Sequence, residues 1–254
     1  MITAVGIVVP ARDEQRLIRR CLHALTTALR ALPSGVEPAL CVVADRCADR
    51  TAELAAETLR GWPARLVTNQ ADLTIGEIRD LGLRRAYTAL AAHPPSEVLL
   101  LSTDADSLVP ADWVQRHVRL IEQGADAVAG MVELSSRHRL PTLVAARYAS
   151  VLAKARTPDG HGNVYAANLG VRAGAYLAVG GFEAVASGED HRLWHRLGSA
   201  GYRRRYAAES TVLTSARRHG RAPGGLAELL HTLHLDSTDA VPDALHDRLE
   251  PFTH

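Results

Sequence analysis

Two periodicities alternate along the 254 residues of the chain. Short β-branched runs without polar interruption give way to longer stretches in which apolar residues recur at helical spacing. "V-G-I-V-V-P" (5–10) predicts a strand buried on both faces. After it, Leu17, Ile18, Cys21, Leu22, Leu25 and Leu29 mark one helix face. Next come a strand at "A-L-C-V-V-A" (39–44), a helix over 51–59 and a strand at "R-L-V-T-N" (65–69). A helix follows from about Ile75 to Leu90, opened by Thr74 and Glu77 at capping-box spacing. The fourth strand is "E-V-L-L-L" (97–101), and a helix starts near Pro110, proline being favoured at a first helical position. "D-A-V-A-G-M-V" (126–132) is the fifth strand.

The alternation predicts an α/β fold with a mostly parallel sheet and helices on both faces. Beyond residue 132 the pattern loosens. Residues 138–156 read as a helix, 163–172 as a strand, and Asp190 to about Ala200 as a helix. A short strand is expected at 202–206, and a helix with a mobile tail from Pro223. No repeat, linker or low-complexity segment divides the chain, so one domain is expected.

Ligands of open α/β sheets bind beyond the carboxyl ends of the strands. Three acidic motifs fall there: "P-A-R-D-E" (10–14), "A-D-R-C-A-D" (44–49) and "S-T-D-A-D" (102–106). In extended backbone, Asp104 and Asp106 would project to one side and offer hard oxygens to one Mg²⁺ or Mn²⁺. The same hexapeptide also reads as an acidic turn before a helix. Asp13 and Asp49 suit helix caps, whereas Asp45 has no capping task and could accept hydrogen bonds from a base or ribose. Glu189 and Asp190 open the late helix, as capping charges or as a general base. His191 and His195 stand at i and i+4, but the glutamate of H-E-x-x-H is missing, so an exposed helix face is expected over zinc. "T-S-A-R-R-H-G-R" (214–221) reads either as a solvated basic loop or as a diphosphate clamp.

Charge narrows the classes. With 29 basic and 28 acidic residues the net charge is +1, and no basic block suggests a nucleic-acid or membrane-surface partner. Cys21, Cys41 and Cys47 lack zinc-like spacing and read as reduced thiols. The N-terminus has no signal-peptide pattern, and no apolar run reaches the roughly 20 residues of a transmembrane span. A cytoplasmic protein is expected. Neither G-x-x-x-x-G-K-[ST] nor G-x-G-x-x-G after the first strand is present, which disfavours P-loop and ordinary NAD enzymes.

In this order the motifs resemble those of the family 2 glycosyltransferases of GT-A fold. "V-V-P-A-R-D-E" is similar to V-I-P-x-x-N-E, "V-V-A-D-R-C-A-D-R-T" to V-V-D-D-G-S-x-D-x-T, and "I-G-E-I-R-D-L-G" to G-x-x-x-A-R-N-x-G. "T-D-A-D" resembles the D-x-D. "G-G-F" with "G-E-D-H-R-L-W-H-R-L" resembles G-G-F…x-E-D-x-D-L-x-x-R-L. The likeness runs from residue 4 to about 206. "A-N-L-G-V-R" and "T-S-A-R-R" are similar to a soluble, non-processive bacterial branch.

The resemblance implies a Rossmann-like nucleotide-sugar-binding half (1–132), an acceptor and catalytic half (133–222), and a C-terminal helix and tail (223–254). It implies inverting transfer of one sugar, of hexosyltransferase type, from a nucleoside diphosphate sugar to an acceptor hydroxyl, with Mg²⁺ or Mn²⁺. Pro10, Ala11 and Glu14 would line the nucleotide pocket, Asp45 would contact the base, and Arg79 would lie nearby. Asp104, Ala105 and Asp106 would meet ribose and the metal-bridged diphosphate, with Asp106 the more direct metal ligand, Asp104 second and His219 a third. Arg217 and Arg218 would assist the diphosphate. Asp190 would be the base and Glu189 its neighbour, with Asn168 and His191 on the acceptor side. The acceptor would be a small or lipid-linked molecule, and a homodimer stays open.

Three positions depart from the family pattern. Ala44 replaces the first aspartate of the D-D pair, Asp80 the usual asparagine, and His191 follows the E-D pair. The absence of Q-x-x-R-W favours single transfer over polymerisation. Two rivals are a sugar-phosphate nucleotidylyltransferase, disfavoured because "A-R-D-E" is no glycine-rich basic loop, and a non-catalytic nucleotide- or sugar-binding module.

Overall fold

A computed structural model describes residues 1–135, 140–217 and 226–235. Its elements are β1 (Ala4–Ala11), α1 (Ile18–Arg30), β2 (Glu37–Asp45), α2 (Thr51–Thr58), β3 (Ala64–Asn69) and α3 (Ile75–Ala89). Then come β4 (Val98–Ser102), β5 (Ser107–Leu108), α4 (Trp113–Glu122), β6 (Ala127–Leu134) and α5 (Thr142–Lys154). The remaining described elements are β7 (Leu169–Arg172), α6 (Ala173–Ala178), α7 (Glu189–Ser199), β8 (Arg204–Thr214) and α8 (Leu226–Leu235).

The eight strands form one sheet, ordered β3-β2-β1-β4-β7-β6-β8-β5. From β3 to β4 every pairing is parallel. β7 then inserts antiparallel between β4 and β6. β6 and β8 pair in parallel, and β5 closes the edge antiparallel to β8. The expected fifth strand, β6, therefore does not neighbour the fourth. All eight residues of β1 are buried. Their alternation divides the core: Val5, Ile7 and Val9 face α1 and α4, whereas Ala4 and Val8 face α3.

Two glycines of "I-G-E-I-R-D-L-G" bring α3 close to its neighbours. A Cβ on Gly82 would stand 2.1 Å from a Val8 methyl, and one on Gly76 would stand 1.8 Å from the Glu183 carbonyl oxygen. The Thr74–Glu77 capping box forms as expected. The start of α1 differs from expectation. Asp13 does not cap it; at φ 52° its carboxylate accepts from the Ala48 amide at 2.7 Å. The Glu14 amide donates to Thr51 Oγ1 at 2.6 Å, so residues 12–17 form a loop tied to the α2 entrance. Asp49 does serve α2, accepting from the Thr51 amide at 2.9 Å.

In the second half, only residues 169–172 of the expected 163–172 strand pair into the sheet, after a 3-10 turn at Ala166–Asn168. β8 begins inside the expected 202–206 strand and continues to Thr214. α8 occupies the expected C-terminal helix and packs on α5 around Val144, Tyr148, Leu230 and Leu233. The expected tail lies outside the described residues. Among the described residues, no helix is long and apolar enough to cross a membrane.

Candidate active site

Five elements, β1, β4, β8, α3 and α7, and the loops that follow them bring polar side chains to the carboxyl end of the parallel strands. β1 ends in Pro10 and Ala11, both buried, and leads to Glu14. β4 ends in Ser102 and runs into a turn closed by Ser107 N–H donating to the Asp104 carbonyl at 3.0 Å. The D-A-D is thus a turn, not the extended strand from which its geometry was expected. Asp104 and Asp106 consequently have different partners, and Ala105 between them is buried. Thr214, at the end of β8, donates to Asp106 Oδ1 at 3.3 Å and accepts from Ser107 Oγ at 3.1 Å.

Arg79, on α3, is the hub. It is 5% exposed and uses three nitrogens on three side chains. Nη2 donates to Asp104 Oδ1 at 2.7 Å, Nη1 to Ser102 Oγ at 3.0 Å, and Nε to Glu189 Oε1 at 3.1 Å. Burial alone would weaken its charge, but Asp104 and Glu189 outweigh that and raise its pKa above the usual value. A second arginine, Arg217, lies beyond β8. It pairs with Glu14 Oε1 and, at 3.2 Å, with Asp106 Oδ2. Burial, then Asp104, pushes the Asp106 carboxyl up to about 6 against the pull of Arg217.

Glu189 and Asp190 begin α7 after Gly188, whose φ of 76° forms the left-handed bend before the helix. Asp190 is half-buried. Its Oδ2 accepts from the Ala166 amide at 2.9 Å and its Oδ1 from the His191 amide at 2.8 Å. Glu189 is buried, and burial with the Asp190 charge lifts its carboxyl from 4.5 to about 7 although Arg79 opposes the shift. Folded Glu189 thus holds its proton over a range in which the unfolded chain releases it. The native state binds more protons between about 4.5 and 7, so this group lowers stability as pH rises through that window. Glu189→Gln should flatten that decline in urea-denaturation midpoints from pH 4.5 to 7; an unchanged slope would remove Glu189 as its source.

Asp45 is buried at the end of β2, receives Asn69 Nδ2 at 2.8 Å and has Arg46 Nε at 3.4 Å. His191 is half-buried beside Asp190, and His195 is exposed. Asn168 is fully buried. Its oxygen accepts from Trp113 Nε1 at 2.8 Å and lies 3.0 Å from His117 Nε2. Its Nδ2 donates to the Met131 and Ser210 carbonyls at 2.8 and 2.9 Å. These flank the irregularity in β6–β8 pairing at Gly130/Met131, so Asn168 fastens a bulge rather than reaching the carboxylates. Arg218 and His219 lie outside the described residues. Ser102 and Thr214 were not singled out in the sequence, although both directly end strands at this edge.

The donors fit a hard divalent ion. Asp104 and Asp106 supply carboxylate oxygens, and a cationic side chain already sits on Asp106. Among the described residues, Asp13, Cys47 and Asp49 place donor atoms within 4.8 Å of one another. There Asp13 receives Ala48 N–H, while Asp49 receives Gln15 and Thr51 N–H. Those bonds account for the trio as a loop clasp.

The sheet and its flanking helices are GT-A-like, as comparison with solved structures shows. TarS from S. aureus (fragment 1-349), solved with UDP-GlcNAc, superposes with a TM-score of 0.60 at 15% identity, covering 98% of this chain and 64% of that one. A longer TarS structure gives 0.59 at 14% identity, and this chain spans 42% of its length. The mannosyltransferase PcManGT from Pyrobaculum calidifontis, solved with GDP-Man and Mn²⁺, gives 0.61 at 20% identity over 96% of this chain and 72% of that one. No curated protein matches the sequence. The family described as glycosyltransferase like family 2 matches residues 3–229, and the chain belongs to it.

Proposed function

We propose that the protein is a metal-dependent, inverting glycosyltransferase that moves one sugar from a nucleoside diphosphate sugar to an acceptor hydroxyl. The observation that carries this reading is Arg79, which binds both the D-x-D turn and the E-D pair. Donor-side and acceptor-side motifs therefore share one centre. The relatives solved with UDP-GlcNAc and with GDP-Man and Mn²⁺ support the donor class.

Asp106, with Asp104 beside it, would hold Mg²⁺ or Mn²⁺. Such an ion, when bound, neutralises charge on a departing diphosphate. Pro10, Ala11 and Glu14 line the nucleotide side in this reading, and Asp45 meets the base. Arg79 positions Asp104 and Glu189. Asp190 takes the proton of the acceptor hydroxyl as its oxygen bonds to the anomeric carbon and the bond to the diphosphate breaks. One displacement inverts that carbon. His191 lies on the acceptor side.

A thermal-shift screen of UDP, GDP, dTDP and their sugars, with and without Mn²⁺, tests the donor class, and transfer from the best donor tests the activity. A Mn²⁺-dependent shift with one nucleotide is expected; silence across all would sink the reading. Asp106→Ala should weaken Mn²⁺-dependent nucleotide affinity at least about tenfold, because it removes a buried charged partner. Unchanged calorimetric affinity would count against Asp106 as the metal ligand.

A further inference from the structure

Two arginines serve the carboxylates at the strand ends, and they are held differently. Arg79 is locked beneath the turn, its side chain 6% exposed. Arg217 lies at the mouth, 29% exposed, on two carboxylates that are 7% and 10% exposed. Its backbone amide is secured only locally, by Ser215 Oγ at 3.3 Å. Its guanidinium spans Glu14, from the first strand's loop, and Asp106, from the fourth strand's turn.

Buried carboxylates need a cation or hydrogen-bond donors to stay charged. Arg217 gives Asp106 and Glu14 that compensation without a ligand. A divalent ion on Asp106 would meet the guanidinium as a like charge across one carboxylate, and two cations that close repel. A diphosphate alters the balance. Its oxygens suit the planar fork of arginine at least as well as the carboxylates do.

We infer that Arg217 is the resting counter-ion of the donor site, holding Asp106 and Glu14 in the ligand-free chain and exchanging them for diphosphate oxygens when a metal–nucleotide complex binds. This rests on the transferase reading above. The exchange makes the ion alone a weak ligand and couples its binding to that of the nucleotide. It also gives Arg217 a role distinct from that of a fixed diphosphate clamp.

Calorimetric titration with Mn²⁺ alone, on the full chain, is the test. Arg217→Gln should bind Mn²⁺ about tenfold more tightly than wild type, within the usual range of coupling between two sites. Arg217→Lys, which keeps the charge but not the fork, should fall between them. Melting curves establish that each variant is folded, and the lysine variant carries the comparison if the glutamine variant is not. Mn²⁺ affinity in the folded variants that equals or falls below wild type, including no binding at all, overturns the proposal. With saturating Mn²⁺, the nucleotide among UDP, GDP and dTDP that binds wild type should bind Arg217→Gln about tenfold more weakly. Tighter Mn²⁺ with unchanged nucleotide affinity would overturn the exchange onto phosphate and keep the counter-ion. If wild type binds none of the three, the transferase reading falls, while titration with Mn²⁺ alone still decides the counter-ion.

Discussion

Asp190→Asn is expected to lower the transfer rate about 10²–10⁴-fold, the range lost with a general base, and to leave nucleotide affinity nearly unchanged. The expectation rests on how the two acidic side chains of α7 are held. Glu189 is buried and one of its oxygens is committed to Arg79. Asp190 is half-buried, and two backbone amides on separate segments fix its orientation. Each carboxylate oxygen keeps a further lone pair, so the group can still accept a hydroxyl proton. An asparagine there has one accepting oxygen, so one of the two amides loses its partner. That costs about 1–3 kcal/mol of stability, and a melting curve must accompany the rate. Single-turnover transfer then reads the chemical step. Near-normal turnover in Asp190→Asn, with transfer lost in Glu189→Gln, would hand the base role to Glu189.

The local parts of this architecture were legible in the sequence, because periodicity and strand-end chemistry are local properties. The unbroken apolar run of β1, the capping box of α3 and the apolar strand β4 all stand where the pattern puts them. What the pattern could not carry is pairing over long separations. The insertion of β7 between β4 and β6 depends on partners about 70 and 40 positions away, which no window of sequence contains. Asn168 shows the same limit within the site. Its neighbours in the motif suggested an acceptor contact, but its amide answers carbonyls 37 and 42 residues away at a bulge. Asp13 looked like a helix cap because cap signals are read from the adjacent run. The Ala48 amide, 35 residues on, is its actual partner.

Arg79→Met should unfold more easily by about 3–5 kcal/mol, the usual loss when one member of a buried ion pair is removed. The motif placed Arg79 near the nucleotide, yet its partners lie 23, 25 and 110 residues away, so only the fold shows that it is a support. The loss should fall unevenly on the two carboxylates it leaves. Asp104 keeps 33% side-chain exposure and can turn to water; Glu189 keeps 8% and cannot. Glu189→Gln added to Arg79→Met should therefore recover at least about 1 kcal/mol, a coupling expected of residues in contact. Purely additive losses in urea denaturation would dismiss the pair as the source. Acidity offers a second discriminator. Below the raised Glu189 value of about 7 the side chain holds its proton and needs no counter-charge. The penalty of Arg79→Met should be smaller at pH 5 than at pH 8, and Glu189→Gln should erase that difference. Transfer should fail in Arg79→Met at either pH, because Asp104 and Glu189 both lose the side chain that joins them.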